Sequence, residues 1–162
     1  MKVLFPLTLL LLLIALTPAY SADLKNTDAL NGLTEAKVVF DINLGHPAPL
    51  LLRLSFIEKT YNQLKSFGTT PVFVLAFRGG ASRFVTKGDS YLPAEDLADK
   101  RKVEAWIDTF SNRGIALEQC ALAAELQKID TGDFLPQVTV VANGYISMIG
   151  YQNKGYAFVP MD

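Results

Sequence analysis

From Val38 onward the apolar positions switch repeatedly between two periods. Val38-Val39-Phe40, flanked by polar residues, is an apolar run of strand length. After the turn-like Gly45-His46-Pro47-Ala48-Pro49, apolar residues recur at Leu50, Leu54, Ile57, Tyr61 and Leu64. Those intervals of three and four lay one stripe along a helix, and Gly68 is placed to stop it. Val72-Phe73-Val74-Leu75-Ala76-Phe77 is continuously apolar, the pattern of a strand buried on both faces of a parallel sheet. Arg78-Gly79-Gly80 interrupts it, and residues 81–88 have room for a short helix or a loop. Pro93, Leu97, Val103, Trp106, Ile107 and Phe110 predict a second long helix closed by Gly114. Residues 115–119 form a weaker strand that delivers the chain to Cys120. A helix is then predicted from Ala121 to Ile129 on the spacing of Leu122, Leu126 and Ile129, with Asp130-Thr131-Gly132-Asp133 ending it. Val138-Thr139-Val140-Val141 is strand-like, Asn143-Gly144 caps a last helix through Gln152, Gly155 terminates it, and Tyr156-Ala157-Phe158-Val159 is a final strand.

Five strands alternating with helices predict a mainly parallel sheet with helices on both faces and right-handed crossovers. In such sheets the binding crevice opens at the carboxyl ends of the strands. The candidate site residues follow from that rule: Asp41, Asn43 and His46 after the first strand, Arg78, Gly79 and Gly80 after the second, Cys120 after the third, Asn143 and Gly144 after the fourth.

The other strong pattern lies at the start. Lys2 supplies a positive charge, Leu7 to Leu16 is apolar apart from Thr8, and Thr17-Pro18-Ala19-Tyr20-Ser21-Ala22 ends in small residues. This is the layout of a secretory signal; an uncleaved anchor is the alternative, although the apolar stretch falls short of the ~20 residues that span a bilayer. Residues 1–22 are therefore read as a signal cut after Ser21 or Ala22, residues 23–35 as a flexible leader, and residues 36–162 as one domain. The expected location is across the inner membrane, in the periplasm, with no membrane attachment after cleavage.

Composition narrows the chemistry. The chain has 162 residues, a formal net charge of -1, one Cys and one His. Near-neutral charge argues against a nucleic-acid partner, and single Cys and His residues exclude both a disulfide framework and a Cys/His zinc cluster. There is no phosphate-binding loop, dinucleotide fingerprint or nucleophile elbow. Gly79-Gly80 reads either as a tight turn leaving a buried strand or as backbone approaching an anion. Cys120 is the sharpest feature. At a strand end and before a helix, it is placed where unpaired amides favour thiolate over thiol; an inert core Cys is the competing reading. Arg78 adds to that stabilisation where it shares the same edge, and is otherwise solvated. His46 is the one candidate imidazole base for a Cys120/His46 dyad, set against a solvated loop His. Tyr145, Tyr151, Gln152 and Tyr156 are expected in core and subunit packing.

Three stretches carry a family likeness: Ala76-Phe77-Arg78-Gly79-Gly80-Ala81, Gly114-Ile115-Ala116-Leu117-Glu118-Gln119-Cys120, and Asn143-Gly144 leading to Tyr151-Gln152-Asn153-Lys154-Gly155-Tyr156-Ala157-Phe158-Val159-Pro160. With Val38-Val39-Phe40 they make the chain resemble the DsrE family of sulfur-relay proteins, most closely its exported single-domain branch. The resemblance implies a three-layer α/β/α fold with a five-stranded parallel sheet, assembly into homo-oligomers, no cofactor, and Cys120 in the place of the family's sulfur-carrying Cys. It implies a carrier that holds sulfur as a persulfide and exchanges it with a donor or acceptor protein. Two other functions compete: a non-catalytic module binding a small anion or a protein around Arg78, Gly79, Gly80, Asn143 and Gly144, and a thiol redox sensor.

Overall fold

A computed structural model describes residues 26–162, so the signal reading of residues 1–22 and the first part of the leader lie outside the described residues. Thr27–Leu30 forms one helical turn, α1. The unit Gly32–Asp162 contains β1 (Glu35–Ile42), α2 (Pro47–Ser66), β2 (Thr70–Phe77), a 3-10 segment (Gly79–Val85), α3 (Leu97–Asn112), β3 (Ala116–Cys120), α4 (Ala121–Leu126), β4 (Thr139–Val141), α5 (Gly144–Asn153) and β5 (Ala157–Pro160). The end of the expected leader is tied down. Thr69 Oγ1 donates to the Leu33 carbonyl at 3.0 Å, and the Thr70 amide donates to Thr34.

The five strands form one all-parallel sheet in the order β4-β3-β2-β1-β5. Period-two alternation sorts the side chains onto two faces. Phe40, Ile42, Phe73, Leu75, Phe77 and Leu117 join Leu50, Leu54 and Ile57 of α2 and Val103, Ile107 and Phe110 of α3 in the main core. The opposite face presents Val39, Val74 and Ala76, which pack with Met148, Tyr151 and Tyr156. The α/β architecture with helices on both sides of a parallel sheet agrees with the alternation read from the sequence.

Two helix boundaries differ from expectation. α2 starts at Pro47 with His46 as N-cap, so the predicted turn is in fact its first turn; proline is at home there because the first amides of a helix have no intrahelical acceptor. α4 ends at Leu126, not Ile129, because Lys128 takes a left-handed φ of 55°. Ile129 is buried beyond the helix end, whereas Leu122 and Leu126, read as the same stripe, are 45% and 86% exposed. The buried Lys100 ammonium donates to the Thr86 carbonyl at 2.7 Å and to Glu104, joining α3 to the end of the 3-10 segment.

Candidate functional site

Cys120 is the last residue of β3 and is 4% exposed. Its Sγ accepts a hydrogen bond from the Gly144 amide at 3.2 Å. Gly144 opens α5, whose N-cap Asn143 accepts from the Tyr145 amide through its own side chain at 2.9 Å. A side chain at 144 would be tight: an ideal Cβ there falls 3.0 Å from Cys120 Cβ and 3.4 Å from its Sγ. The amide that reaches the sulfur thus belongs to α5. The sequence pointed instead to the helix directly after Cys120; that helix is only six residues long and the Cys120 side chain makes no capping bond to it.

Cys120 borders a cavity of about 390 Å³ whose other lining residues are Arg78, Gly79, Gly80, Leu122, Ala123, Leu126, Gln127 and Tyr145. Arg78, Gly79 and Gly80 form its β2 side. Gly79 has φ 53°, and a Cβ on Gly80 would lie 2.3 Å from the Gly45 Cα. Tight backbone packing therefore accounts for both glycines. Gln127 reaches back from the end of α4 to donate to the Gly79 and Ala123 carbonyls.

Arg78 is not a solvated cation. Its Nε donates to Asp41 Oδ1 at 2.6 Å and its Nη2 to Oδ2 at 2.5 Å, a two-pronged pairing that suits the planar guanidinium. Asp41 is buried, and the guanidinium lies 5.4 Å from the centre of the Tyr145 ring. The hydrogen bonds Arg78 donates to Asp41, and the charge of that carboxylate, raise the Arg78 pKa against the lowering effect of burial. Arg78 also borders a second cavity of about 240 Å³, lined by Asp41, Tyr145, Met148, Ile149, Gln152 and Phe158.

Four of the sequence candidates, Arg78, Gly79, Gly80 and Cys120, thus meet on one cavity, and Gly144 holds the sulfur from behind. Asn143 spends its side chain on the α5 cap and is not a lining residue. His46 is exposed at the start of α2 and does not line the cavity, and Asn43 packs against Gly79. His46 therefore does not join Cys120 in a dyad. Sequence reasoning missed Leu122, Ala123, Leu126 and Gln127 as lining residues; the spacing of Leu122 and Leu126 pointed only to a helix. It also missed Gln119, fully buried under the site, whose Nε2 donates to Ser82 Oγ at 2.8 Å and to the Cys120 carbonyl at 2.9 Å. Tyr145 projects over Arg78 instead of entering the core. Tyr151 packs on Tyr156, as expected of a core aromatic, and also donates to Glu118 Oε1 at 2.6 Å.

No family model matches the chain. An uncharacterized protein of Aquifex aeolicus (strain VF5) is 30% identical over 125 residues, a match covering 76% of this chain and 55% of that protein. The chain therefore spans about half the length of this curated relative. Among solved structures, the chain is similar to a protein of unknown function from Methanobacterium thermoautotrophicum, with a TM-score of 0.61 at 18% identity, covering 77% of this chain and 98% of that one. At this identity the likeness is one of fold.

Proposed function

We propose that the chain is a DsrE-like sulfur carrier in which Cys120 takes up sulfur as a persulfide and passes it to a partner thiol. The observation that supports this reading most is the setting of the lone Cys. It ends a parallel strand, where α/β sheets place their ligands, with its Sγ accepting from a backbone amide and the residue bordering a cavity. Displacing sulfur from a sulfane donor needs one soft nucleophile and a path to it; Cys120, itself 4% exposed, is the nucleophile and the cavity beside it is the path. The competing small-anion module is disfavoured by the Arg78–Asp41 pair, which leaves the cavity without an uncompensated cation. The proposal includes export to the periplasm on the strength of residues 1–22, and self-association through the exposed apolar side chains Tyr145, Ile146 and Ile149 of α5.

Incubation of native protein with inorganic polysulfide, followed by intact-mass measurement, tests the reading. Wild type is expected to gain sulfur that dithiothreitol removes, and Cys120→Ser is expected to gain none. Equal gain by both proteins, or a native Cys120 that resists iodoacetamide altogether, refutes it. A gain of one oxygen without any sulfur adduct identifies a redox sensor instead.

A further inference from the structure

We propose that the Tyr145 hydroxyl donates to the outer sulfur of a Cys120 persulfide and holds it as an anion. The inference rests on the sulfur-carrier reading and gives Tyr145 a part in the chemistry beyond the packing expected of it.

Three observations lead there. Consecutive residues of α5 meet the site: the Gly144 amide donates to Cys120 Sγ at 3.2 Å, and Tyr145 lines the Cys120 cavity. The Tyr145 hydroxyl has no hydrogen-bond partner among the described residues, Sγ included, while its ring is steadied by the Arg78 guanidinium 5.4 Å from the ring centre. Arg78 is itself held by two bonds to Asp41, so the ring rests on an anchored plate. Finally, Gly144 packs closely on Cys120, so the room for an added sulfur is the cavity that Cys120 borders. The α4 side of that cavity contributes the apolar side chains of Leu122, Ala123 and Leu126, and Tyr145 contributes an unpartnered donor.

Loading is a displacement. The Cys120 thiolate attacks a protonated terminal sulfur of a polysulfide; the Sγ–S bond forms as the donor S–S bond breaks, and the electron pair leaves on the shortened polysulfide. The product Cys120–S–SH gives its proton to water, and the charge then sits on the outer sulfur, one S–S bond of about 2.05 Å beyond Sγ. A hydroxyl that donates to this sulfur favours the anion and lowers the pH at which the proton leaves. No free counter-charge is required, because the covalent bond holds the sulfur and a neutral, preplaced donor meets its charge. An anionic outer sulfur also repels an attacking thiolate, so the same bond guards the stored sulfur against bulk thiols. The charged and titratable groups nearby are the Arg78–Asp41 pair from β2 and β1, Tyr145 itself from α5, and Glu118, which shares the Cys120 face of β3 and is bonded by Tyr151. The lining residues of α4 are not ionisable.

The test compares full-length wild type with Tyr145→Phe, which keeps the ring over Arg78 at a position 56% exposed. Each protein, unloaded and loaded with inorganic polysulfide, is alkylated with iodoacetamide across a range of pH and read by intact mass. Both are expected to load, and the unloaded midpoints are expected to coincide, since the hydroxyl does not bond Sγ. The loaded midpoint is expected to rise by about one pH unit in Tyr145→Phe, a tenfold change in the acid dissociation constant. Above that midpoint the neutral fraction rises by the same factor, so loss of sulfur to dithiothreitol is expected to speed up about tenfold. A loaded midpoint that does not move overturns the proposal and leaves the carrier reading standing. An equal shift in the unloaded protein also overturns it, since the hydroxyl would then act on Sγ, as does a Tyr145→Phe protein that fails to load where wild type succeeds. Wild type that takes up no sulfur overturns the carrier reading and the proposal with it.

Discussion

Gly80 offers a sharp test of how the site's backbone is packed. Its φ is not left-handed, so alanine is conformationally acceptable, and by chain entropy alone Gly80→Ala would stabilise by about 0.4–1 kcal/mol. Space decides the sign. The new Cβ would lie 2.3 Å from the Gly45 Cα and 2.9 Å from its nitrogen, against 3.4–4 Å for ordinary contact. Both colliding groups are backbone, one in the turn entering α2 and the other in the turn leaving β2, so neither can swing aside. About 1 Å of separation must open between them, which places the cost near the upper end of the ~1–3 kcal/mol typical of overpacking. Net of the entropic gain, Gly80→Ala is expected to destabilise by about 1–2.5 kcal/mol. Urea unfolding followed by circular dichroism should show a lower midpoint with an unchanged slope. Gly150→Ala is the internal control: it lies inside α5 with nothing within 4 Å of a built Cβ, so it should stabilise by about 0.5–1 kcal/mol. A Gly80→Ala protein as stable as wild type would refute the packing argument, as would a Gly150→Ala protein destabilised despite the open space at that position.

Three further outcomes are expected. Burial, and then the hydrogen bond to Glu118, raise the Tyr151 pKa well above its ordinary 10.0, so the fold holds this proton more tightly than the unfolded chain does. That contribution is full below pH 10.0 and lost as pH rises towards the native value; Tyr151→Phe should flatten the alkaline limb of the urea midpoint against pH. For Glu104, burial pushes the pKa up, but hydrogen bonds from Lys100 and Arg101 outweigh it and leave it below the ordinary 4.5. Its contribution is present above pH 4.5 and lost as pH falls through the native value, a dependence Glu104→Gln should remove from acid titrations of stability. Light scattering in reducing buffer should give more than a monomer mass, and Ile146→Glu, on the exposed side of α5, should lower that mass while changing stability by no more than about 0.5 kcal/mol.

Much of the architecture was legible because parallel strands and long amphipathic helices leave different periods in the chain. The continuous run before Arg78 became β2, and the stripe from Leu50 to Leu64 became α2. Site composition was legible only as far as topology reaches. Strand ends brought Arg78, Gly79, Gly80 and Cys120 together, since a parallel sheet puts all its carboxyl ends on one edge. The remaining lining was hidden for a physical reason. Periodicity reports that Leu122 and Leu126 share one side of a helix, but not whether that side meets a core or a cavity. The Asp41–Arg78 bond was hidden similarly. Both residues were on the candidate edge, yet only the pairing of Asp41 with Ala76 across β1 and β2 places the carboxylate within reach of a guanidinium just beyond the end of β2.

The strand order carries a consequence for how the chain becomes a folded protein. β1, the first strand to be synthesised, lies between β2 and β5, and β5 is the last element of the chain. Until Ala157–Pro160 docks, β1 is an open edge. The closing contacts also come from the final residues: the Met161 amide donates to the Asp41 carbonyl, and Arg53 donates to the Asp162 carbonyl at 2.6 Å. The carboxylate that holds Arg78 over the cavity therefore sits on a strand whose second neighbour arrives last. Such closure joins residues from opposite ends of the sequence, the slow kind of contact in folding. Wherever Ala157–Pro160 is undocked, β1 keeps an unpaired edge, and the carboxylate that pairs with Arg78 sits on a strand held from one side only.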